Sequence, residues 1–255
     1  MRAYFKKKSA ILLIFAISFI FGLSFWVKYS GVSAVYFNGT TRLVPIYSVD
    51  RNDNKISISF DCAYGADYTL KLLDILDEYD VKCTFFVVKF WADKFPDVLK
   101  EISNRGHEIG THSSTHPNMS KLSEAQIISE LTTSSQKITE ITGKKVELFR
   151  PPYGDYDDDV ITSCADINYY PIQWDIDSLD WKNYGKEDMI ERVVNHKALK
   201  NGSIILMHNG AKYTASALQE IIDGLRNKGY EIVPISELIY KENYTIDVNG
   251  RQKQE

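Results

Sequence analysis

Lys55-Ile56-Ser57-Ile58-Ser59-Phe60-Asp61-Cys62 is the stretch on which the fold turns. Residues 56–60 read as a β-strand, and an acid stands where the strand runs out. Downstream, residues 68–79 carry Leu72, Leu73, Ile75 and Leu76 at helical spacing. Residues 83–88 form a continuous apolar strand, as in a sheet buried on both faces. A helix at 96–105 ends at Gly106, and a short strand at 107–110 follows. Ser123 with Gln126 makes a capping box for a helix that carries Ile127, Leu131, Ile138 and Ile141 and stops at Gly143. Further strands are predicted at 148–149, 170–174, 203–207 and 231–233, with helices at 188–199 and 215–227 between them. Repeated strand-then-helix order implies parallel strands joined by right-handed crossovers. Six or seven such units predict a closed or partly closed α/β barrel.

The ends differ from this repeat. Arg2, Lys6, Lys7 and Lys8 form a basic segment, residues 1–9, ahead of an apolar run at 10–28. The run is long enough for a transmembrane helix, and its basic flank predicts a cytoplasmic N-terminus with everything beyond it exported. A cleaved signal peptide is the alternative, with Val32-Ser33-Ala34 supplying small residues for cleavage. Residues 29–54 read as a β-hairpin extension around Asn38-Gly39. The barrel domain spans 55–240, and 241–255 read as a loose polar tail. A formal net charge of −4, without a basic stripe interleaved with aromatics, gives no reason to expect a nucleic-acid partner. Three cysteines, Cys62, Cys83 and Cys164, make no disulfide framework, and the last two read as small buried hydrophobes.

The unusual residues fall at predicted strand ends, where barrels collect reactive groups. They are Asp61, then His112 and His116, then Arg150 to Gly154, then Asp175, Asp177, Asp180 and Trp181, and finally His208. Five clusters from five strands are hard to explain by core packing. Two histidines four apart on one helical turn point the same way and can share a metal, or they are surface and capping groups. His208 is a general acid of near-neutral pKa or a core histidine. Arg150 keeps Asp61 ionised or makes a structural ion pair.

Ser59-Phe60-Asp61-Cys62, His112-x-x-x-His116, Arg150-Pro-Pro-Tyr153-Gly154, Asp177-x-x-Asp180-Trp181 and Leu206-Met207-His208 resemble, in order, the five motifs of the polysaccharide deacetylases. This is the NodB-homology domain, carbohydrate esterase family 4. The resemblance covers about residues 55–239. The hairpin, Ala63-Tyr64-Gly65-Ala66-Asp67 and Gln173-Trp174-Asp175 are similar to a sporulation-associated subgroup that also carries an N-terminal membrane segment. The family implies a distorted (β/α) barrel. It implies Asp61 as general base tethered by Arg150, and His208 as general acid oriented by Asp180. His112 and His116 would hold a divalent metal, the Tyr153 N–H would bind the oxyanion, and Trp181 and Leu206 would line the acetyl pocket.

In the family an aspartate follows the base and completes the metal triad; here Cys62 stands there, and Ala63 replaces the family's glycine. A thiolate is softer than a carboxylate and favours zinc. Cys62 is therefore a zinc ligand, or a bystander with waters or Asp67 completing a weak site, or the mark of a metal-free, inactive one. The expected function is a metal-dependent N-deacetylase acting on an N-acetylated cell-wall polysaccharide, peptidoglycan foremost, in sporulation. The alternative is a degenerate glycan-binding wall protein. Replacing Asp61 or His208 is expected to abolish turnover and leave folding intact.

Overall fold

The computed structural model describes residues 42–255. The expected basic segment, the apolar run at 10–28 and most of the hairpin extension lie outside them. Among the described residues no helix is long and apolar enough to cross a membrane.

The strands are β1 (Ser48–Val49), β2 (Lys55–Cys62), β3 (Thr84–Val87), β4 (Glu108–Thr111), β5 (Leu148–Phe149), β6 (Tyr170–Pro171), β7 (Ile176–Asp177), β8 (Ile204–His208), β9 (Glu231–Ile232), β10 (Tyr244–Ile246) and β11 (Arg251–Gln254). One sheet runs β6-β5-β4-β3-β2-β8-β7, with β9 also paired to β2. Every pairing in it is parallel. β6 and β7 end the sheet unpaired with each other, so it is an open half-barrel with helices around it. Leu72, Leu73 and Leu76 of the helix Thr69–Glu78 and Leu218, Ile221 and Leu225 of the helix Thr214–Asn227 bury their apolar stripes in one core with Ile56, Ile58 and Phe60. The helix Glu124–Thr142 has the expected capping box at Ser123 and ends on a left-handed Gly143. Three helices carry no signal read in the sequence, Lys89–Lys94, Asp158–Asp166 and the short Ile235–Leu238. The second is opened by the Asp157 side chain, which accepts from the Val160 N–H at 3.0 Å.

Residues 46–49 fill the open seam. The Ile46 N–H donates to the Pro171 carbonyl at 3.0 Å, its carbonyl accepts from Gln173 N–H at 2.7 Å, and Val49 N–H donates to the Gly202 carbonyl at 2.9 Å. Gly202, at φ +79°, is required there, because a Cβ would collide with the Val49 carbonyl. The expected loose tail is instead ordered. β11 pairs with β1 on one side and β10 on the other, a small sheet laid on the seam. Gln252 is fully buried; its amide accepts from Tyr240 N–H at 2.8 Å and donates to the Tyr240 carbonyl at 2.6 Å. Deleting residues 251–255 unpairs these groups and is expected to cost about 1–3 kcal/mol for each buried group left unsatisfied. Each kcal/mol lowers the thermal midpoint by about 2–4 °C in a domain of this size. An unchanged midpoint in a calorimetric scan would show the tail to be an ornament.

Candidate active site

Register brings the site together. Asp61 lies opposite Phe86 on β3 and His208 on β8, Val87 lies opposite Thr111, and Thr111 lies opposite Phe149. The residues that follow these positions, His112 and Arg150, therefore emerge at the same C-terminal rim as Asp61 and His208.

Asp61 is buried, and Arg150 Nη1 donates to its Oδ1 at 2.8 Å. Arg150 has no exposed surface; it also donates to the Gln173 carbonyl at 3.2 Å, and its guanidinium lies 4.2 Å over the Phe86 ring. Burial pushes the Asp61 carboxyl up, but the charge and hydrogen bond of Arg150, with the charge of His208, outweigh it and hold the acid below its usual range. Asp61 is thus a buried anion with a fixed cation behind it.

His208 stands opposite. Its Nδ1–H donates to Asp180 Oδ1 at 2.7 Å, and its backbone N–H and the Thr214 hydroxyl both donate to Asp180 Oδ2 at 2.7 Å. Burial disfavours the imidazolium, yet the Asp180 hydrogen bond and charge win, and the pKa of His208 is raised above its ordinary 6.5. The Asp180 carboxylate oxygens are both occupied, so the ring is held in one orientation with Nε2 facing the site.

His112 and His116 lie with ring centroids 4.9 Å apart, but not on a helical turn. Residues 112–116 form a loop in which Ser113 and His116 take left-handed conformations, at φ 73° and 59°. Two side-chain groups hold this bend. Ser113 Oγ accepts from the His116 N–H at 3.0 Å. The Glu130 carboxylate accepts from the Ser114 and Thr115 N–H groups and the Thr115 hydroxyl, each at 2.8 Å. His112 Nδ1–H donates to the Arg150 carbonyl at 2.7 Å, which leaves its Nε2 as a lone pair 3.5 Å from Asp61 Oδ2. Burial holds both imidazoles neutral, His116 down to about 4. The buried Nδ1 of His116 has no hydrogen-bond partner among the described residues. Two neutral imidazoles with a free lone pair and an orphaned buried nitrogen fit a divalent metal.

A third donor is not in place. Cys62 is fully buried within the main apolar cluster. Its thiol is pushed well up by burial and by the charge of Asp61, so it stays protonated. Asp67 is exposed. Among the described residues no group of three or more His, Cys, Asp or Glu side chains is placed to hold a metal ion.

Tyr153 sits at φ 59° in the turn Pro152–Gly154 and lays its ring 4.6 Å from that of His116. Trp181 is half exposed, and Leu206 is buried on β8 two residues before His208. Asp177 caps its own turn by accepting from the Leu179 N–H at 2.8 Å. Asp175 does not join the site. Its carboxylate accepts from the Ser203 hydroxyl at 3.0 Å and the Ile204 N–H at 2.8 Å, clamping the start of β8 rather than its end, and burial raises it to about 6. Glu130 and Thr214 are supporting residues with no motif in the sequence, and a helix pattern cannot say which loop Glu130 will hold. Gln173 stands in a quoted motif, but its role, accepting from Arg150 through its carbonyl and donating to the Gly154 carbonyl at 3.1 Å, carries no sequence signal.

Residues 48–172 match the pattern of the family described as polysaccharide deacetylase. A peptidoglycan-N-acetylglucosamine deacetylase of Bacillus cereus is 33% identical over 198 residues, covering 76% of this chain and 92% of that protein. An uncharacterised Bacillus subtilis protein, YlxY, is 33% identical over 195 residues, and the match spans 76% of this chain but 60% of that longer protein. A solved Bacillus anthracis structure described as a CE4 family pseudoenzyme superposes with a TM-score of 0.74 at 32% identity, covering 83% of this chain and 73% of that one. A mutant of that protein described as having restored enzymatic activity gives the same TM-score at 34% identity, over 78% of this chain and 72% of that one.

Proposed function

The chain belongs to the polysaccharide deacetylase family, and on that premise we propose that it hydrolyses N-acetyl amides of amino sugars in a cell-wall polysaccharide, peptidoglycan foremost. The observation that carries this reading is the facing pair of Asp61 backed by Arg150 and His208 backed by Asp180, on adjacent strands in register. One group is held ionised to take a proton and the other has its proton affinity raised by Asp180 to give one, which is the division of labour amide hydrolysis needs.

His112 and His116 would hold a divalent metal, zinc by the preference of imidazole donors. When bound, such an ion makes its water a nucleophile near neutral pH and polarises the amide carbonyl. Asp61 takes a proton as water attacks the acetyl carbon. The Tyr153 N–H is assigned to the oxygen that becomes negative, with Trp181 and Leu206 beside the acetyl methyl. His208 then protonates the sugar nitrogen, the C–N bond breaks, and acetate and a free amine leave. The proposed setting remains that of the sequence reading: a domain exported by the apolar run at 10–28, in a spore-forming cell.

Because His208 must be protonated, kcat/KM is expected to fall as pH rises through its raised pKa. Asp180→Asn removes the raising charge and is expected to move that alkaline limb to lower pH. The same pair adds stability that is fully present below the ordinary imidazole value and is lost as pH rises through the raised one. A limb that stays put in Asp180→Asn would take the acid role away from His208.

The second reading, a glycan-binding protein with little turnover, is favoured by one observation: the neutral, buried thiol at position 62. Acetate release from peptidoglycan and chito-oligosaccharides, measured beside zinc content, decides between them. Stoichiometric metal with acetate release supports the enzyme; bound glycan with neither supports the second reading.

A further inference from the structure

The two histidines of the site are held in different ways. His112 continues the ladder of β4. Its N–H donates to the Val87 carbonyl at 2.9 Å, and its ring is pinned at 2.7 Å through Nδ1–H by the Arg150 carbonyl. His116 has neither support. It stands beyond the sheet at φ 59°, and its buried Nδ1 has no hydrogen-bond partner among the described residues. Ring contacts bracket it, with centroids 4.6 Å away for Tyr153 and 6.0 Å away for Tyr64, but both tyrosines are themselves mostly exposed. The place of the His116 imidazole is therefore set through its backbone.

That backbone is a span between two supports. Downstream, Met119 is fully buried, and Ser120 donates its N–H and its hydroxyl to the Asp155 carboxylate, at 2.9 Å and 2.8 Å. Upstream, the Ser113 N–H donates to Thr111 Oγ1 at 3.2 Å, and the Ser113 carbonyl accepts from the Lys89 N–H at 3.0 Å. Between them the chain leans on one side chain from outside the loop, Glu130. Its Oε2 takes the N–H groups of both Ser114 and Thr115, and its Oε1 takes the Thr115 hydroxyl. Two successive N–H groups reach one anionic oxygen only where the backbone between them is curled. Here that curl delivers the chain to the left-handed His116.

We propose that Glu130 is the positioning residue of the metal site: through the curl at Ser114 and Thr115 it sets where the His116 imidazole stands, and so sets metal affinity without touching the ion. This rests on the reading that His112 and His116 hold a divalent metal. The affinity is then governed from a helix behind the loop, apart from the strand ends that carry Asp61 and His208. Replacing the side chain leaves the Ser114 hydroxyl bonded to the Glu130 backbone carbonyl at 2.9 Å, so the loop loosens at Thr115 rather than coming away.

The test is zinc affinity, measured by chelator competition, in the parent, Glu130→Gln and Glu130→Ala. Each is also made in the Cys62→Asp chain, where a carboxylate is expected to tighten the site. Alanine favours the helix, and the side chain it removes borders an open groove, so the apo thermal midpoint is expected to stay near the parental one. Glutamine keeps a carbonyl oxygen for the two N–H groups and turns its amide to the Thr115 hydroxyl, which can accept. Glu130→Gln is expected to bind zinc as the parent does. Glu130→Ala is expected to bind it about 10–100-fold more weakly, with an altered visible spectrum when cobalt replaces zinc. An equal loss in both variants traces the effect to charge and overturns the positioning role. An alanine variant that unfolds makes Glu130 a residue of the fold and overturns it too. Parental affinity in Glu130→Ala overturns the proposal and leaves the metal reading standing. No zinc in the parent or in the Cys62→Asp chain overturns both.

Discussion

Replacing His208 by Ala is expected to lower acetate release by about 10²–10⁴-fold, the range that positioned proton transfer supplies, and to cost about 1–3 kcal/mol of stability, because the buried Asp180 loses its ring partner but keeps the His208 N–H on Oδ2 and the Thr214 hydroxyl. The His208 side chain is about a third exposed, so its loss opens no deep cavity. Asp61→Asn is expected to abolish turnover to a similar degree but not to leave folding intact. Arg150 is fully buried, and the asparagine leaves its charge uncompensated. Removing one member of a buried ion pair costs about 3–5 kcal/mol. The structure thus separates two replacements that look alike in the sequence. Acetate assays and thermal unfolding measure both effects, and near-parental acetate release from either variant would remove its residue from the mechanism.

Cys62→Asp is expected to raise divalent-metal affinity by about 10–100-fold, the range over which supporting groups change a metal site. A carboxylate cannot remain ionised among the apolar side chains that now surround the sulfur. It would take up a proton unless a cation held by His112 and His116 compensated its charge. Competition with a chromophoric chelator measures the affinity, and acetate release in the same variant tells whether the third donor was what turnover lacked. Repeating His208→Ala in the Cys62→Asp chain tests the acid against a filled metal site. Unchanged affinity and unchanged metal preference would mean that position 62 does not face the metal.

Much of this architecture was legible from periodicity. The parallel strands and most helices follow from apolar spacing, and the convergence of Asp61, His112, Arg150 and His208 follows from their places at strand ends. What failed did so for identifiable reasons. The histidine pair was read as a helical turn because i,i+4 spacing suggests one, yet the rings meet across a loop with two left-handed residues held by Ser113 and Glu130. Asp175 was grouped with Asp177 and Asp180 by proximity in sequence, although its carboxylate serves the opposite end of β8. The tail was taken for loose polar chain because β10 and β11 are short and polar, and their partner β1 lies some two hundred residues upstream. A long-range pairing of that kind leaves no local pattern.

The small sheet over the seam has a consequence for how this domain can be carried. Ser48 and Arg251 are neighbours across one ladder, so the first and last strands among the described residues are paired. A domain whose two ends lie side by side can be spliced into a loop of a host protein or strung on a longer chain without being pulled open. The seam lies away from the C-terminal ends of β2 and β8, so a segment attached there is expected to leave Asp61 and His208 in register.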